Sequence, residues 1–180
     1  MGRRNAEVAV RKVLTQARPE LVITAGFAGG LRPELKTGAV VFEEDAEAGL
    51  AAKLQGAGAV PARFYCAERV AITVAEKAAF WKSTGADAVE MESSAIRAIC
   101  RELKIPSATV RVISDSAQED LPLDFNALMT AGDRINYAKL FWTIARSPGK
   151  IASLMQFQKR TVAAARALGE VLRQSLGGGR

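Results

Sequence analysis

Two acidic residues, Glu92 and Asp115, each follow a short apolar segment of the kind that forms a buried strand. The two segments are residues 86–91 and 107–113, and a helical pattern lies between them. If both strands run parallel in one sheet, both carboxylates emerge at the same edge, where open α/β sheets bind their ligands. Two acids at the mouth of one pocket indicate acid–base chemistry on a small ligand.

The same residues also have a structural interpretation. Glu92 could cap the helix that follows it, and Asp115 could cap a turn. In the functional interpretation, Asp115 beside Ser114 acts as a general acid, and an ionised Glu92 accepts hydrogen bonds from two sugar hydroxyls. Arg111 lies in a strand that otherwise looks buried, so its guanidinium needs a carboxylate or phosphate partner. Spacing alone leaves both interpretations open.

The composition limits the available chemistry. A chain of 180 residues is long enough for one domain with a substantial core. It contains no histidine, which excludes Ser-His-Asp and Cys-His catalysis and the usual zinc sites. Its two cysteines, Cys66 and Cys100, are expected to be buried thiols, because disulfides are rare in a reducing cytosol. Acid–base work therefore falls to Asp, Glu, Lys, Tyr or Cys.

The formal net charge of +6 raises the question of a nucleic-acid partner. The basic residues beyond position 130 are scattered rather than clustered, so we expect a solvated helix surface and no nucleic-acid binding. Peripheral attraction to an anionic membrane is the weaker alternative. No apolar run approaches the length of a membrane span, and no signal-like segment follows Met1, so the expected location is the cytoplasm.

Alternating apolar patterns predict an α/β fold. Residues 86–113 fit a strand, a helix and a second strand joined by a right-handed parallel crossover. Residues 26–30 (GFAGG) are predicted to form a tight turn, and residues 116–122 a mobile loop. The predicted strands are 21–25, 39–42, 64–66, 70–72, 86–91 and 107–113, and the predicted helices are 5–17, 47–55, 74–82, 93–103, 125–129, 136–145 and 148–176.

The glycine-rich turn has two interpretations of its own. Its glycines could simply permit positive φ angles. Alternatively, they could leave backbone N–H groups bare toward a ligand. The turn alone does not distinguish these.

Three motifs occur in order along the chain: GFAGGL at 26–31, VEMES at 89–93 and VRVISD at 110–115. Together they resemble the signatures of the nucleoside phosphorylase and methylthioadenosine/adenosylhomocysteine nucleosidase superfamily, over about residues 5–120. Residues 121–126 and the helical tail further resemble the hopanoid-associated phosphorylase branch. The resemblance implies one α/β domain over residues 1–180, a three-layer sandwich whose central mixed, largely parallel sheet is flanked by helices. Residues 148–180 would form a C-terminal helix and a frayed tail.

The resemblance implies cleavage of the bond between a purine and a ribose, by phosphorolysis or hydrolysis. No metal or cofactor is expected, and phosphate would be a co-substrate only for phosphorolysis. Asp115, steadied by Ser114, would protonate N7 of the leaving purine, and Arg111 would organise the acids. The remaining predicted contacts are Glu92 on the ribose hydroxyls, Met91 on the sugar, Phe27 and Ala28 at the turn beside the ligand, and Val70 at the base.

The sequence departs from the family pattern at its beginning. Family members usually have preceding strands, which carry either a phosphate-binding glycine loop or a glutamate that activates water. We therefore expect a chain that is truncated at its N-terminus or completed by another subunit, with an unpaired sheet edge and a tendency to form homo-oligomers. A catalytically impaired nucleoside-binding module is the alternative function. Phe27 stands where nucleosidases often have serine, which would suit an apolar 5′ substituent such as that of adenosylhopane.

Overall fold

The computed structural model describes residues 3–128 and 151–177, together with positions 130, 136, 139, 142 and 149. Within these residues a six-stranded mixed sheet is flanked by helices, which confirms the predicted α/β class. The strands are β1 Val22–Gly30, β2 Val40–Glu44, β3 Val60–Pro61, β4 Phe64–Cys66, β5 Ala88–Glu90 and β6 Ser107–Asp115. The helices are α1 Arg3–Gln16, α2 Ala51–Gly56, α3 Val74–Thr84, α4 Ser93–Glu102, α5 Phe125–Leu128 and α6 Ile151–Leu176, with a short 3₁₀ helix at Ala46–Ala48.

Most of the helix predicted at 136–145, and the predicted start of the last helix at 148, lie outside the described residues. None of the described helices combines the length and the apolar character that crossing a lipid bilayer requires.

The strand order is β3-β2-β6-β1-β5-β4. Parallel pairings join β1 to β6, β2 to β3 and β4 to β5, whereas β1 with β5 and β2 with β6 are antiparallel. The sheet is therefore mixed and largely parallel, as expected. On its other edge β1 pairs with β5 only at Gly29 and Gly30, so no described strand covers that edge over residues 22–27.

The long strand β6 is buried on both faces, and its two faces differ in chemistry. Val110 and Val112 join the main core together with Leu168 and Val171 of α6. Because side chains alternate along a strand, the opposite face carries Arg111 and Ile113, and the strand irregularity described below returns Asp115 to the face of Val112. One face of β6 thus anchors the sheet to α6 and ends at Asp115, and the other carries Arg111.

Helix α3 has well-defined ends. Thr73 and Glu76 form a capping box at its start, and Gly85 ends it in the left-handed conformation with φ 62°. Helix α4 packs its apolar stripe against α1, where Ile96 and Cys100 contact Ala6. Both cysteines are free; Cys100 is buried as predicted, but Cys66 is only partly buried.

The predicted parallel crossover between the strands that flank α4 is wrong. Strand β5 runs antiparallel to β1, and β1 lies between β5 and β6. An earlier strand therefore separates the two strands that are consecutive in sequence. Periodicity identified both strands, but it carries no information about which strand lies between them or in which direction each one runs.

The predicted tight turn at residues 26–30 is also wrong, because β1 continues to Gly30. Positive φ angles occur at Gly38, Gly49, Gly58 and Gly85 but not in this segment. The reason for glycine here is space. A Cβ atom on Gly29 would lie 3.2 Å from Val89 Cγ1 and 3.3 Å from Asp115 Oδ2. Glycine lets the side chains of neighbouring strands approach the β1 backbone.

Residues 70–72 do not form the predicted strand. The N–H group of Val70 donates to Asn126 Oδ1 (2.9 Å), and Asn126 Nδ2 donates to the Val70 carbonyl (2.9 Å). Leu121 N–H donates to the carbonyl of Ile72 (2.8 Å). A side-chain amide and an irregular loop thus take the bonding positions that a neighbouring strand would occupy. They also anchor the predicted loop 116–122 to the segment before α3.

Candidate functional site

The candidate site lies where β5 and β6 both flank the end of β1. Gly29 is the partner of Val89 on one side and of Asp115 on the other. The backbones of the two motifs therefore flank Gly29 from its two sides. Because β5 runs antiparallel to β1, the prediction that parallel strands bring both carboxylates to one edge is wrong.

A β-bulge sets the position of Asp115. The β1–β6 register pairs Ala28 with Ile113 and Gly29 with Asp115, which leaves Ser114 without a partner. Ser114 Oγ lies 2.5 Å from Asp115 Oδ1 and 3.2 Å from the carbonyl oxygen of Ala28. Bulges of this kind redirect a side chain at the end of a strand. Asp115 is only 5% exposed, and the Ser114 hydroxyl donates to one of its oxygens.

The other oxygen of Asp115 faces a lysine that the sequence reasoning missed. Lys77 of α3 is 0% exposed, and its Nζ lies 2.6 Å from Asp115 Oδ2. Nζ donates hydrogen bonds to the carbonyls of Ser116 (2.8 Å) and Glu119 (2.6 Å). Oδ2 itself has no hydrogen bond of acceptable geometry within the described part of the chain. The two groups therefore lie within ion-pairing distance whenever Asp115 is ionised. Lys77 precedes the partly buried Phe80 by about one turn, a weak signal of inward orientation.

Arg111 has the carboxylate partner that its burial requires, and that partner is Glu90. Arg111 Nη2 lies 3.0 Å from Glu90 Oε2, and both residues are 5% exposed or less. Arg111 Nη1 also donates to the carbonyl and hydroxyl oxygens of Thr24, at 3.0 and 3.2 Å. The first acid of the VEMES motif was the available signal for Glu90. The predicted role of Arg111 in organising the acids stays a prediction; the acid that it contacts is Glu90, which was not predicted to take part.

Glu90 also supports the start of α4. Its carboxylate accepts hydrogen bonds from the backbone N–H groups of Glu92 (3.1 Å) and Ser93 (2.8 Å) and from the Ser93 hydroxyl (2.8 Å). Glu92 is the N-cap residue, but its side chain makes no capping bond. The capping interpretation of Glu92 is therefore wrong. The turn-capping interpretation of Asp115 is not supported either, because Ser116 N–H donates to Glu119 Oε2 (3.2 Å).

The remaining predicted residues lie around this centre at different depths. Phe27, on β1, is 43% exposed, whereas the next residue, Ala28, is 4% exposed and contacts Ser114 through its carbonyl. Met91 directly follows β5 and is partly buried, as is Val70. No hydrogen bond between described residues joins Met91 or Val70 to Asp115.

The described residues give little support for a nucleophilic thiol or a metal site. Burial raises the pKa of the Cys66 thiol and the nearby Glu90 carboxylate adds to this, although a hydrogen bond from Ser94 acts in the opposite direction. A protonated thiol is a poor nucleophile. Within the described ranges no three His, Cys, Asp or Glu side chains are grouped so that they could hold a metal ion.

A shallow groove of about 370 Å³ lies elsewhere on the sheet, lined in part by Phe42, Glu43 and Arg63. It contains none of the predicted site residues. We place the site at Asp115, because buried charged groups held by several partners are characteristic of catalytic centres.

A sequence model of the phosphorylase superfamily matches residues 46–146, which include α3, β5 and β6. A 5′-methylthioadenosine/S-adenosylhomocysteine nucleosidase from Marinomonas sp. is 29% identical, over 69% of this chain and 69% of the relative. The nucleosidase of the same name from Glaesserella parasuis serovar 5 is 26% identical, over 72% of this chain and 70% of the relative. This chain thus aligns with about 70% of the length of these curated relatives.

The solved structure of a 5′-methylthioadenosine/S-adenosylhomocysteine nucleosidase from Colwellia psychrerythraea, in complex with adenine, has a similar fold. Its TM-score is 0.68 at 20% identity, and the match covers 98% of this chain and 74% of the other. At that level of identity the likeness establishes the fold alone.

Proposed function

Because the chain belongs to the phosphorylase superfamily, we propose that it cleaves the N-glycosidic bond of a purine nucleoside or 5′-substituted adenosine and releases the purine. The names of the curated relatives support an adenosine-type substrate. One observation carries the proposal. Asp115 is a nearly buried carboxyl group at the end of β6, with Ser114 on one oxygen and Lys77 at the other.

In the proposed reaction, the ribose becomes cationic as its bond to the purine stretches, and the purine gathers negative charge. The carboxyl group of Asp115 transfers its proton to N7 of the purine, so the base leaves in a neutral form. A phosphate ion, or a water molecule that gives up one proton to solvent, then bonds to the anomeric carbon. Acid assistance of this kind typically contributes about 10²–10⁴-fold in rate.

We assign the ribose hydroxyls to Glu92. It begins α4 at the edge of the site, where the Glu90 carboxylate holds its backbone N–H group at 3.1 Å. A carboxylate has enough acceptor positions to bond both hydroxyls of a ribose. The buried Glu90 accepts hydrogen bonds from Arg111 and Ser93, so Glu92 is the better placed of the two acids for a ligand.

The 5′ substituent of the substrate is proposed to be apolar. Phe27 exposes 43% of its surface on β1, two residues before Gly29. An exposed aromatic side chain beside a ligand site favours an apolar group over a hydroxyl. Rates for adenosine, 5′-methylthioadenosine and adenosylhopane should therefore rise with the apolar area of the substituent. Faster cleavage of adenosine than of both substituted nucleosides would contradict this preference.

The central test replaces Asp115 by Asn. Adenine release from 5′-methylthioadenosine should fall by about 10²–10⁴-fold, because Asn has no carboxyl proton to give. The matched control is Asp124→Asn, the same chemical change at an exposed residue whose carboxylate accepts from Ala127 N–H. Release is followed by chromatography of free adenine. An Asp115→Asn enzyme as fast as the wild type rules out the assigned mechanism.

The nucleophile is identified by running the wild-type assay with and without phosphate and analysing the sugar product. Phosphorolysis yields a sugar 1-phosphate and requires phosphate. Hydrolysis yields the free sugar at the same rate in both buffers.

The alternative is a nucleoside-binding module with impaired activity. The edge of β1 over residues 22–27, which no described strand covers, favours this alternative, because it leaves the β1 side of the site open. Titration calorimetry with 5′-methylthioadenosine, run beside the adenine assay, distinguishes the two functions. Binding without any adenine release supports the module, and measurable turnover eliminates it.

A further inference from the structure

We propose that Lys77 is a positioning residue for Asp115, and that its charge balances the carboxylate which Asp115 becomes when it gives up its proton. This inference rests on the proposed function. It assigns a role to a residue of α3 that lies outside the three sequence motifs. Lys77 contacts the acid and not the substrate, so it would act only through Asp115.

The burial of Lys77 is the first observation behind this inference. Its side chain is 0% exposed, and that of Asp115 is 7% exposed. Removing an ammonium and a carboxylate from water is costly, and a buried ion pair adds little stability compared with apolar side chains of similar size. Stability alone therefore does not account for a lysine at this position.

The geometry of Lys77 is the second observation. Its Nζ is fixed by the carbonyls of Ser116 (2.8 Å) and Glu119 (2.6 Å) and by Asp115 Oδ2 (2.6 Å). Both carbonyls belong to the segment directly after β6, so the ammonium is tied to the same piece of chain as the acid. A charge held in this way needs no rearrangement during the reaction, which is the condition for effective electrostatic stabilisation.

The proposed step transfers one proton from Asp115 to the purine. The O–H bond of the Asp115 carboxyl group breaks while the N7–H bond of the purine forms, and the electron pair stays on the carboxylate. Lys77 remains protonated throughout and stabilises the new negative charge at Oδ2. After the purine leaves, the Asp115 carboxylate takes up a proton from solvent for the next turnover.

The test compares Lys77→Met with Lys82→Met, the same change at an exposed position of the same helix. With 5′-methylthioadenosine, Lys77→Met should lower kcat by about 10²-fold while KM changes less than about threefold, and Lys82→Met should match the wild type. The leaving group of 4-nitrophenyl riboside departs without a proton, so with this substrate Lys77→Met should lower kcat by less than about threefold. Equal losses on both substrates would mean that Lys77 only supports the fold, and would overturn the inference.

A double-mutant cycle gives an independent readout in adenine release. If Lys77 acts through Asp115, Lys77→Met should have little further effect in the Asp115→Asn background. This double variant also removes both buried charges and so avoids leaving an unpaired carboxylate. Lys77→Gln is the second single variant if Lys77→Met does not fold, because its amide can still donate to the carbonyls. Additive effects in the cycle contradict the inference.

A wild type that releases no adenine overturns the proposed function and this inference together. An active wild type with an unaffected Lys77→Met variant overturns only the inference.

Discussion

Four charged side chains are buried among the described residues, and each lies next to one of opposite charge. Lys77 pairs with Asp115 at 2.6 Å, and Arg111 pairs with Glu90 at 3.0 Å. The two pairs differ in their surroundings. Glu90 accepts several hydrogen bonds from α4, whereas Asp115 Oδ2 has the Lys77 ammonium at 2.6 Å and no hydrogen bond from the residues that the structure describes. We therefore assign support of the fold to Glu90 and chemistry to Asp115.

Replacing Glu90 by Gln should lower the free energy of unfolding by about 3 kcal/mol, because the buried Arg111 guanidinium loses its countercharge. The matched control is Glu102→Gln. Its pair with Arg11 has side chains that are 61% and 56% exposed, and the loss should stay below about 1 kcal/mol. Urea denaturation of both variants gives the comparison. Equal losses would show that the Arg111–Glu90 pair is no more important for stability than a surface pair.

Asp115, Ser114 and Arg111 were candidates from the sequence, because a charged or polar residue in or at the end of an apolar strand is conspicuous, and their roles in the site stay predictions. The sequence did not distinguish Glu90 from Glu92. Side-chain alternation would place both acids on the same face of an extended strand. The strand β5 ends at Glu90, however, so Glu92 lies outside it. Lys77 was missed because a lysine on a helix is usually solvated, and its partner is 38 positions away in the chain.

Among the elements, β1 decides how the two motifs meet. Gly29→Ala should reduce adenine release by about tenfold or more. The new Cβ atom would lie 3.3 Å from Asp115 Oδ2 and 3.2 Å from Val89 Cγ1, so the acid must shift. Gly56→Ala is the control, because no atom lies within 4 Å of its added Cβ. Loss of activity in Gly56→Ala, or full activity in Gly29→Ala, would count against this packing role.

Most elements could be located from periodicity, including α3, α4 and β6, each within about two residues of its observed ends. Periodicity could not predict the order and direction of the strands, because β5 pairs with a strand that lies about 60 residues earlier in the chain. The strand predicted at residues 70–72 failed for a related reason. Its apolar pattern is that of a strand, but the Asn126 side chain occupies the backbone groups of Val70.

On the scale of the whole molecule, a second charge network joins β2, α4 and β6 far from the candidate acid. Asp45 accepts hydrogen bonds from the Ser107 hydroxyl (2.6 Å) and from Arg97 (3.0 Å), and Arg97 also pairs with Glu43. Burial opposes ionisation of Asp45. The hydrogen bonds from Ser107 and Arg97 outweigh it and hold the pKa of Asp45 at about 2, below its ordinary value of 3.8.

This network predicts acid sensitivity of the fold. The folded pKa of Asp45 is lower than the unfolded one, so its contribution is fully present above about pH 4 and is lost as the pH falls toward 2. The Asp45 side chain is 14% exposed, so we expect about 1–2 kcal/mol from it. Urea denaturation of wild type and Asp45→Asn between pH 6 and pH 2.5 checks this. The difference in free energy of unfolding between the wild type and Asp45→Asn should narrow as the pH falls. A difference that stays constant contradicts the prediction.

The bulge at Ser114 decides on which face of the sheet Asp115 lies. In a regular strand Ser114 would take the position beside Gly29, and Asp115 would follow on the face of Arg111. The extra residue keeps the acid on the face of Lys77, and a chain without Ser114 would reach the same position with no bulge. For this motif, an alignment gap between Ile113 and the acid is therefore no sign of lost chemistry: a relative with one residue fewer there would still place its acid beside the residue that matches Gly29.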